Sequence, residues 1–170
     1  MRGVFAMTPE QLRADPWAFG PWCWVVDRVE SFGGDPRPCR GMQGLWPIGH
    51  GELRDALFDL VGMDVRWGLT LLQPYASAII AGPKRVENRP WRRMIPDNGL
   101  WVGLHAGKTL YGGPDAAEDM LDEWRDGPCS LLPDTPHWPK APCVAELPLG
   151  CMLGAVHIRQ ILRYSDECSP

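Results

Sequence analysis

Proline and glycine cut this sequence into short pieces, which sets the kind of fold it can adopt. Its 170 residues include 18 Pro and 19 Gly. Proline stops helices at or before the preceding residue, and glycine serves the left-handed turn that closes many helices. Thr8-Pro9-Glu10-Gln11 combines a capping residue, a first-turn proline and a capping-box glutamine, so a short helix starts there and Asp15-Pro16 ends it. The aromatic and β-branched run Trp22 to Val29 predicts a strand, "GGDPRPCRG" a loop, and "MQGLWPI" another short strand. Leu53, Leu57, Leu60 and Val61 share a helical face over 51–62, with Gly62 as the stop. "GLTLLQPYASAIIAG" begins as a strand and becomes a helix after Pro74, with Gly82 where the C-terminal cap belongs. "GLWVGLHAG" alternates, with Leu100, Val102 and Leu104 on a core face and Trp101, Gly103 and His105 opposite. "GPDAAEDMLDEW" reads as a helix with acids in its first turns, and "LGAVHIRQILRY" as a strand. Residues 126–150 hold six prolines and little periodicity, which predicts a long ordered loop. Short helices between short strands give an α+β fold built on a small curved or barrel-like sheet, within one domain.

Composition narrows the function. At 45% hydrophobic and 22% charged residues, this is an ordinary soluble globular chain, with no apolar run of the roughly 18 residues a membrane span needs. The apolar stretch before Thr8-Pro9 is too short for a secretory signal, so the expected location is cytoplasmic. The six cysteines form no C-x-x-C pair, and no metal or cofactor is expected. Nine tryptophans against three tyrosines either fill the core or face a flat ligand such as a nucleobase.

The charge is unevenly placed. The net charge is -4, yet Lys84, Arg85, Arg89, Arg92 and Arg93 fall within ten positions, around a single acid, Glu87, and beside Trp91. One reading is a solvated ion-pair surface. The other is a grip on a ligand. Glu87 accepts from an exocyclic amine, as carboxylates do when they read cytosine, Arg89 offers a planar fork to a phosphate or base edge, and Trp91 stacks. Strand alternation puts Glu87 and Arg89 on one face and Lys84 on the other, so Lys84 and Glu87 share a pocket only if Lys84 lies in the turn after Gly82-Pro83. The acidic total argues against long duplexes and for a few unpaired nucleotides or one flipped base.

The run Gly82-x-Lys84-x-x-Glu87-x-Arg89, after a short helix that starts with Gln73, Pro74, Ala76 and Ser77 and before "GLWVGLHAGK", resembles the ASCH family, a branch of the PUA-like fold. The resemblance implies a small β-barrel with flanking short helices and a cleft for RNA, single-stranded nucleic acid or a modified nucleoside. The order looks circularly permuted: 15–48 resembles the usual C-terminal part, 68–165 the usual N-terminal part, and 50–66 is a junction helix. The cleft residues it implies are Trp22, Arg40, Gln73, Tyr75, Ser77, Lys84, Glu87, Arg89, Trp91, His105 and Lys108. Some relatives hydrolyse N(4)-acetylcytidine with the motif lysine, here Lys84, assisted by a threonine where this chain has Glu87; others bind or cut nucleic acid. A binding module, a hydrolase with Lys84 and Glu87 as catalytic residues, and a protein-interaction domain are therefore the three expectations.

Overall fold

The computed structural model describes residues 6–127 and 136–164. Four α-helices and seven strands follow one another in these residues: α1 (Pro9–Arg13), β1 (Trp22–Ser31), β2 (Arg37–Pro38), β3 (Leu45–Pro47), α2 (Glu52–Val61), β4 (Trp67–Gln73), α3 (Tyr75–Ile80), β5 (Val86–Arg89), β6 (Leu100–Leu110), α4 (Pro114–Asp126) and β7 (Cys151–Arg163). The Thr8 capping box forms in both directions, and Gly62 closes α2 in the left-handed conformation. No helix among the described residues is long and apolar enough to cross a membrane.

All seven strands join one sheet in the order β3-β4-β6-β7-β1-β5, with β2 paired to β7. β4 and β6 run parallel and the other neighbours antiparallel. The sheet curls into a half-barrel, a PUA-like α+β arrangement. β1 lies between β7 and β5, so the N-terminal segment is integral to the sheet. Gln160 on β7 donates to the Met7 carbonyl and accepts from its amide, tying the start of α1 to the same strand.

Leu69, Leu71, Val102, Leu104, Val156, Ile158 and Trp24 fill one face, into which α3 inserts Ala76 and Ile79. The other face is covered on one side by α1 and α4, through Leu12, Leu121 and Trp124, and on the other by α2, through Leu57.

Four expectations are corrected. β6 has both faces covered rather than one, because Gly103 and His105 pack beneath Ile48, Met152 and Trp46. The cap of α3 is Ala81, not Gly82. Arg85 closes this end instead: its guanidinium donates to Ile79 O in the last turn and to Gly82 O and Lys84 O in the turn that follows. Glycine is needed at 82 for closeness, since a Cβ there would lie 2.7 Å from Ala78 O and 2.9 Å from the Trp138 ring. The expected loop at 33–41 contains β2. The expected loop at 126–150 begins inside α4 and carries a 3-10 turn at Val144–Glu146; its part at 128–135 lies outside the described residues.

Candidate functional site

The basic stretch divides among three tasks. Arg85 caps α3, as above. Lys84 turns inward. Arg89, Arg92 and Arg93 follow the free edge of the sheet.

Lys84 precedes β5, and its amide donates to Ala78 O at 3.1 Å, which folds the Gly82-Pro83 turn under α3. Its side chain is only 1% exposed. Nζ donates to Val86 O and lies 3.4 Å from Glu87 Oε2, so the turn does let Lys84 and Glu87 meet. Trp17 and Tyr75 present their rings to the ammonium at 5.5 and 5.7 Å. Asn88 fixes Trp17 there: its amide accepts from Phe19 N and Gly20 N and donates to Trp17 O. Burial pulls Lys84 below the ordinary lysine value, and Glu87, then Asp15, push it back.

Glu87 stands between two cations. Its Oε1 lies 3.2 Å from the Arg89 guanidinium, whose NH2 also donates to Thr70 O at 3.1 Å. That second bond links β5 to β4 across the open edge of the half-barrel. β5 and β4 are not ladder partners, so Arg89 bridges a seam. The seam holds a pocket of about 330 Å³ lined by Gln43, Gly44, Thr70, Tyr75, Glu87 and Arg89, at the small end of ligand pockets. In the β1–β5 register Trp24 lies opposite Glu87 and Trp22 opposite Arg89, which puts all four on one face. Two buried donors on that face, Arg89 Nε and Trp24 Nε1, have no acceptor among the described residues. Burial also pushes the Tyr75 phenol up to about 12, so it stays a donor.

The remaining residues expected at the cleft fall in different places. Trp91, 36% exposed, packs edge-on to Trp24 with ring centres 5.0 Å apart and stands next to Gly44 of the pocket wall. Trp22 carries Arg92 on its ring. Gln73 is fully buried and spent on structure, accepting from Ser77 N and donating to Pro148 O. Ser77 lines a separate, larger groove of about 660 Å³ with Ile80, Pro83, Trp138, Pro148 and Leu153. That groove is mainly apolar and holds none of the Glu87–Arg89 chemistry. His105 is on the opposite face of the sheet, buried in a closed relay: Trp46 Nε1 donates to Thr70 Oγ1, Thr70 to His105 Nδ1, and His105 Nε2 to Cys39 O, at 2.9, 3.2 and 3.3 Å. Burial holds that imidazole below its usual value, in keeping with a neutral ring. Arg40 and Lys108 are exposed and do not line the seam pocket. Thr70, Gln43 and Gly44 come to the pocket from strands and loops distant in sequence, and nothing local marks them.

A family model described as the ASCH domain matches residues 69–169. The human protein Activating signal cointegrator 1 is 32% identical over 98 residues, which cover 57% of this chain and 14% of that protein. No solved structure matches. Of the five basic residues that first drew attention, the two in the signature run, Lys84 and Arg89, converge on Glu87 within the matched region. That region exceeds half of the sequence, and the chain belongs to the ASCH family of PUA-like domains, which are generally RNA-binding.

Proposed function

We propose that this chain is a binding module that takes one unpaired base, of single-stranded RNA or of a modified nucleoside, into the seam pocket. The observation that carries this reading is the pairing in one small pocket of a nearly buried carboxylate, Glu87, with a buried donor that has no acceptor among the described residues, Arg89 Nε. A base edge that offers an amine beside a carbonyl or ring nitrogen complements both. Tyr75 and Trp91 supply flat faces at the wall and rim. Arg89→Lys keeps the charge but loses the fork, so it should weaken nucleoside binding roughly tenfold by calorimetry, the effect of about 1.4 kcal/mol. Equal binding by wild type and variant would remove Arg89 from the site.

A second reading, hydrolysis by Lys84, is favoured by the burial that lowers its pKa, a shift typical of catalytic lysines. Against it, Lys84 is sealed behind Tyr75 and donates to Val86 O and Glu87. Wild-type turnover of N(4)-acetylcytidine or of RNA that vanishes in Lys84→Met would establish the hydrolase.

We also infer that the elements stand in circularly permuted order. The family match begins at residue 69, yet β1 and β3, from segment 15–48, complete the sheet. A chain recut so that residues 67–170 precede 1–66, joined by a short linker, should keep the fold; a recut chain that cannot fold would contradict the inference.

A further inference from the structure

Arg92 and Arg93 are the members of the basic stretch that serve neither the pocket, the buried pair with Glu87 nor the end of α3. Seven other arginines meet a carboxylate. These two have neither an ion pair nor a side-chain hydrogen bond among the described residues. Each instead lies over an indole: Arg92 over Trp22 at 5.4 Å and Arg93 over Trp67 at 4.5 Å. Stacking uses the face of a guanidinium and leaves its in-plane N–H fork free, already oriented, to grip an anion with two parallel bonds. The fork matches phosphate geometry, and a stacked arginine gives up less rotamer freedom on binding.

Their placement is directional. Arg89 touches β4 at Thr70 and Arg93 touches it at Trp67, three residues earlier and roughly 10 Å along the strand. Arg93 therefore continues along the seam from the pocket, while Arg92 lies over Trp22, the β1 residue opposite Arg89, so the two flank the pocket's outer end from either side of β5. A free nucleoside fills the pocket and leaves this row idle. A phosphodiester chain with one base in the pocket lays its backbone along it. The rest of the surface offers duplex DNA little, since the chain is acidic overall and α4 alone carries six carboxylates.

Building on the pocket proposed above, we propose that Arg92 and Arg93, stacked on Trp22 and Trp67, form a phosphate-binding track, so that the ligand is a nucleotide within a single-stranded chain. The test compares free nucleosides with a fluorescein-labelled RNA hexamer of mixed sequence, by anisotropy at several salt concentrations. For the double variant Arg92→Gln/Arg93→Gln, the slope of log affinity against log salt should become shallower by about 1.4, at about 0.7 for each lost contact to a single strand. Nucleoside binding should be unchanged. Arg92→Lys/Arg93→Lys keeps the charges and should keep the slope, which separates lost contacts from damaged packing on the indoles. An unchanged slope in the glutamine variant, wild-type hexamer affinity no higher than that for a nucleoside, or equally tight binding of polyglutamate would each overturn the track. Arg89→Lys tests the pocket separately: nucleoside binding insensitive to it refutes the pocket, even where the glutamine variant still shows the track by its slope.

Discussion

Replacing Glu87 by glutamine should destabilise the fold far more than replacing Lys84 by methionine, although the two side chains are ion-pair partners. The Lys84 ammonium is 1% exposed and Glu87 is the carboxylate that contacts it. Glu87→Gln strands that charge. Removing one partner of a buried pair costs about 3–5 kcal/mol. A second route gives a ceiling. The stranded lysine can release its proton, and moving a group that titrates near 10.4 to neutrality at pH 7 costs about 4.6 kcal/mol, at 1.36 kcal/mol per pH unit. Lys84→Met leaves Glu87 still paired with Arg89 at 3.2 Å and fills the space with an apolar chain, so about 1–2 kcal/mol is expected. The two variants also differ with pH. In Glu87→Gln the folded-state pKa of Lys84 lies below its unfolded value, so the unfolded chain binds more protons between the two. Stability then rises with pH, and the deficit against wild type shrinks as pH goes from 7 to 9. Urea denaturation of wild type and both variants at the two pH values measures this. A larger loss in Lys84→Met than in Glu87→Gln, or a deficit independent of pH, would refute the buried-triad reasoning.

Other parts of the structure give further expectations. Gly41→Ala places a Cβ 2.4 Å from the His105 ring, which is held at both nitrogens and cannot yield, so it should cost about 1–3 kcal/mol in a thermal melt. The Tyr75 phenol, raised to about 12, should titrate well above an ordinary phenol in an ultraviolet alkaline titration; because the unfolded phenol loses its proton first, stability falls as pH climbs from 10 towards 12. Binding of RNA at the seam should quench part of the tryptophan emission through Trp91, and Trp91→Leu should remove that quench.

The strands and helices were legible because their periodicities survive in short windows, as in Leu100, Val102 and Leu104 against Trp101, Gly103 and His105. The two-residue β2 was not, since its pairing with β7 comes from distant backbone and "DPRPC" reads locally as a turn. Gly82 misled for a similar reason: it looks like a helix cap, but its smallness serves Trp138, more than fifty residues away. The signature run contains Lys84, Glu87 and Arg89, and the fold brings these three side chains into contact. The run did not say that Gln73 is consumed by Ser77 and Pro148, or that His105 points to the other side of the sheet. Those roles depend on which strands become neighbours. The seam exists because the sheet curls and brings β5 against β4, a contact between unpaired edges that no local pattern encodes. Trp24 is the clearest such case. Its sequence context is that of a core indole, and only the fold shows its buried Nε1, opposite Glu87, without an acceptor among the described residues.

The claim that the seam pocket receives a base is tested most directly by following side-chain N–H signals in an NMR titration with the RNA hexamer. Nine indole N–H resonances and the arginine Nε–H set report on every candidate surface at once. The Trp24 Nε1–H and Arg89 Nε–H signals should move most as they acquire an acceptor, and the buried Trp46 N–H, already bonded to Thr70, should stay in place. Shifts confined to the Trp138 indole in the apolar groove, with Trp24 and Arg89 unmoved, would contradict the assignment and transfer the site to that groove.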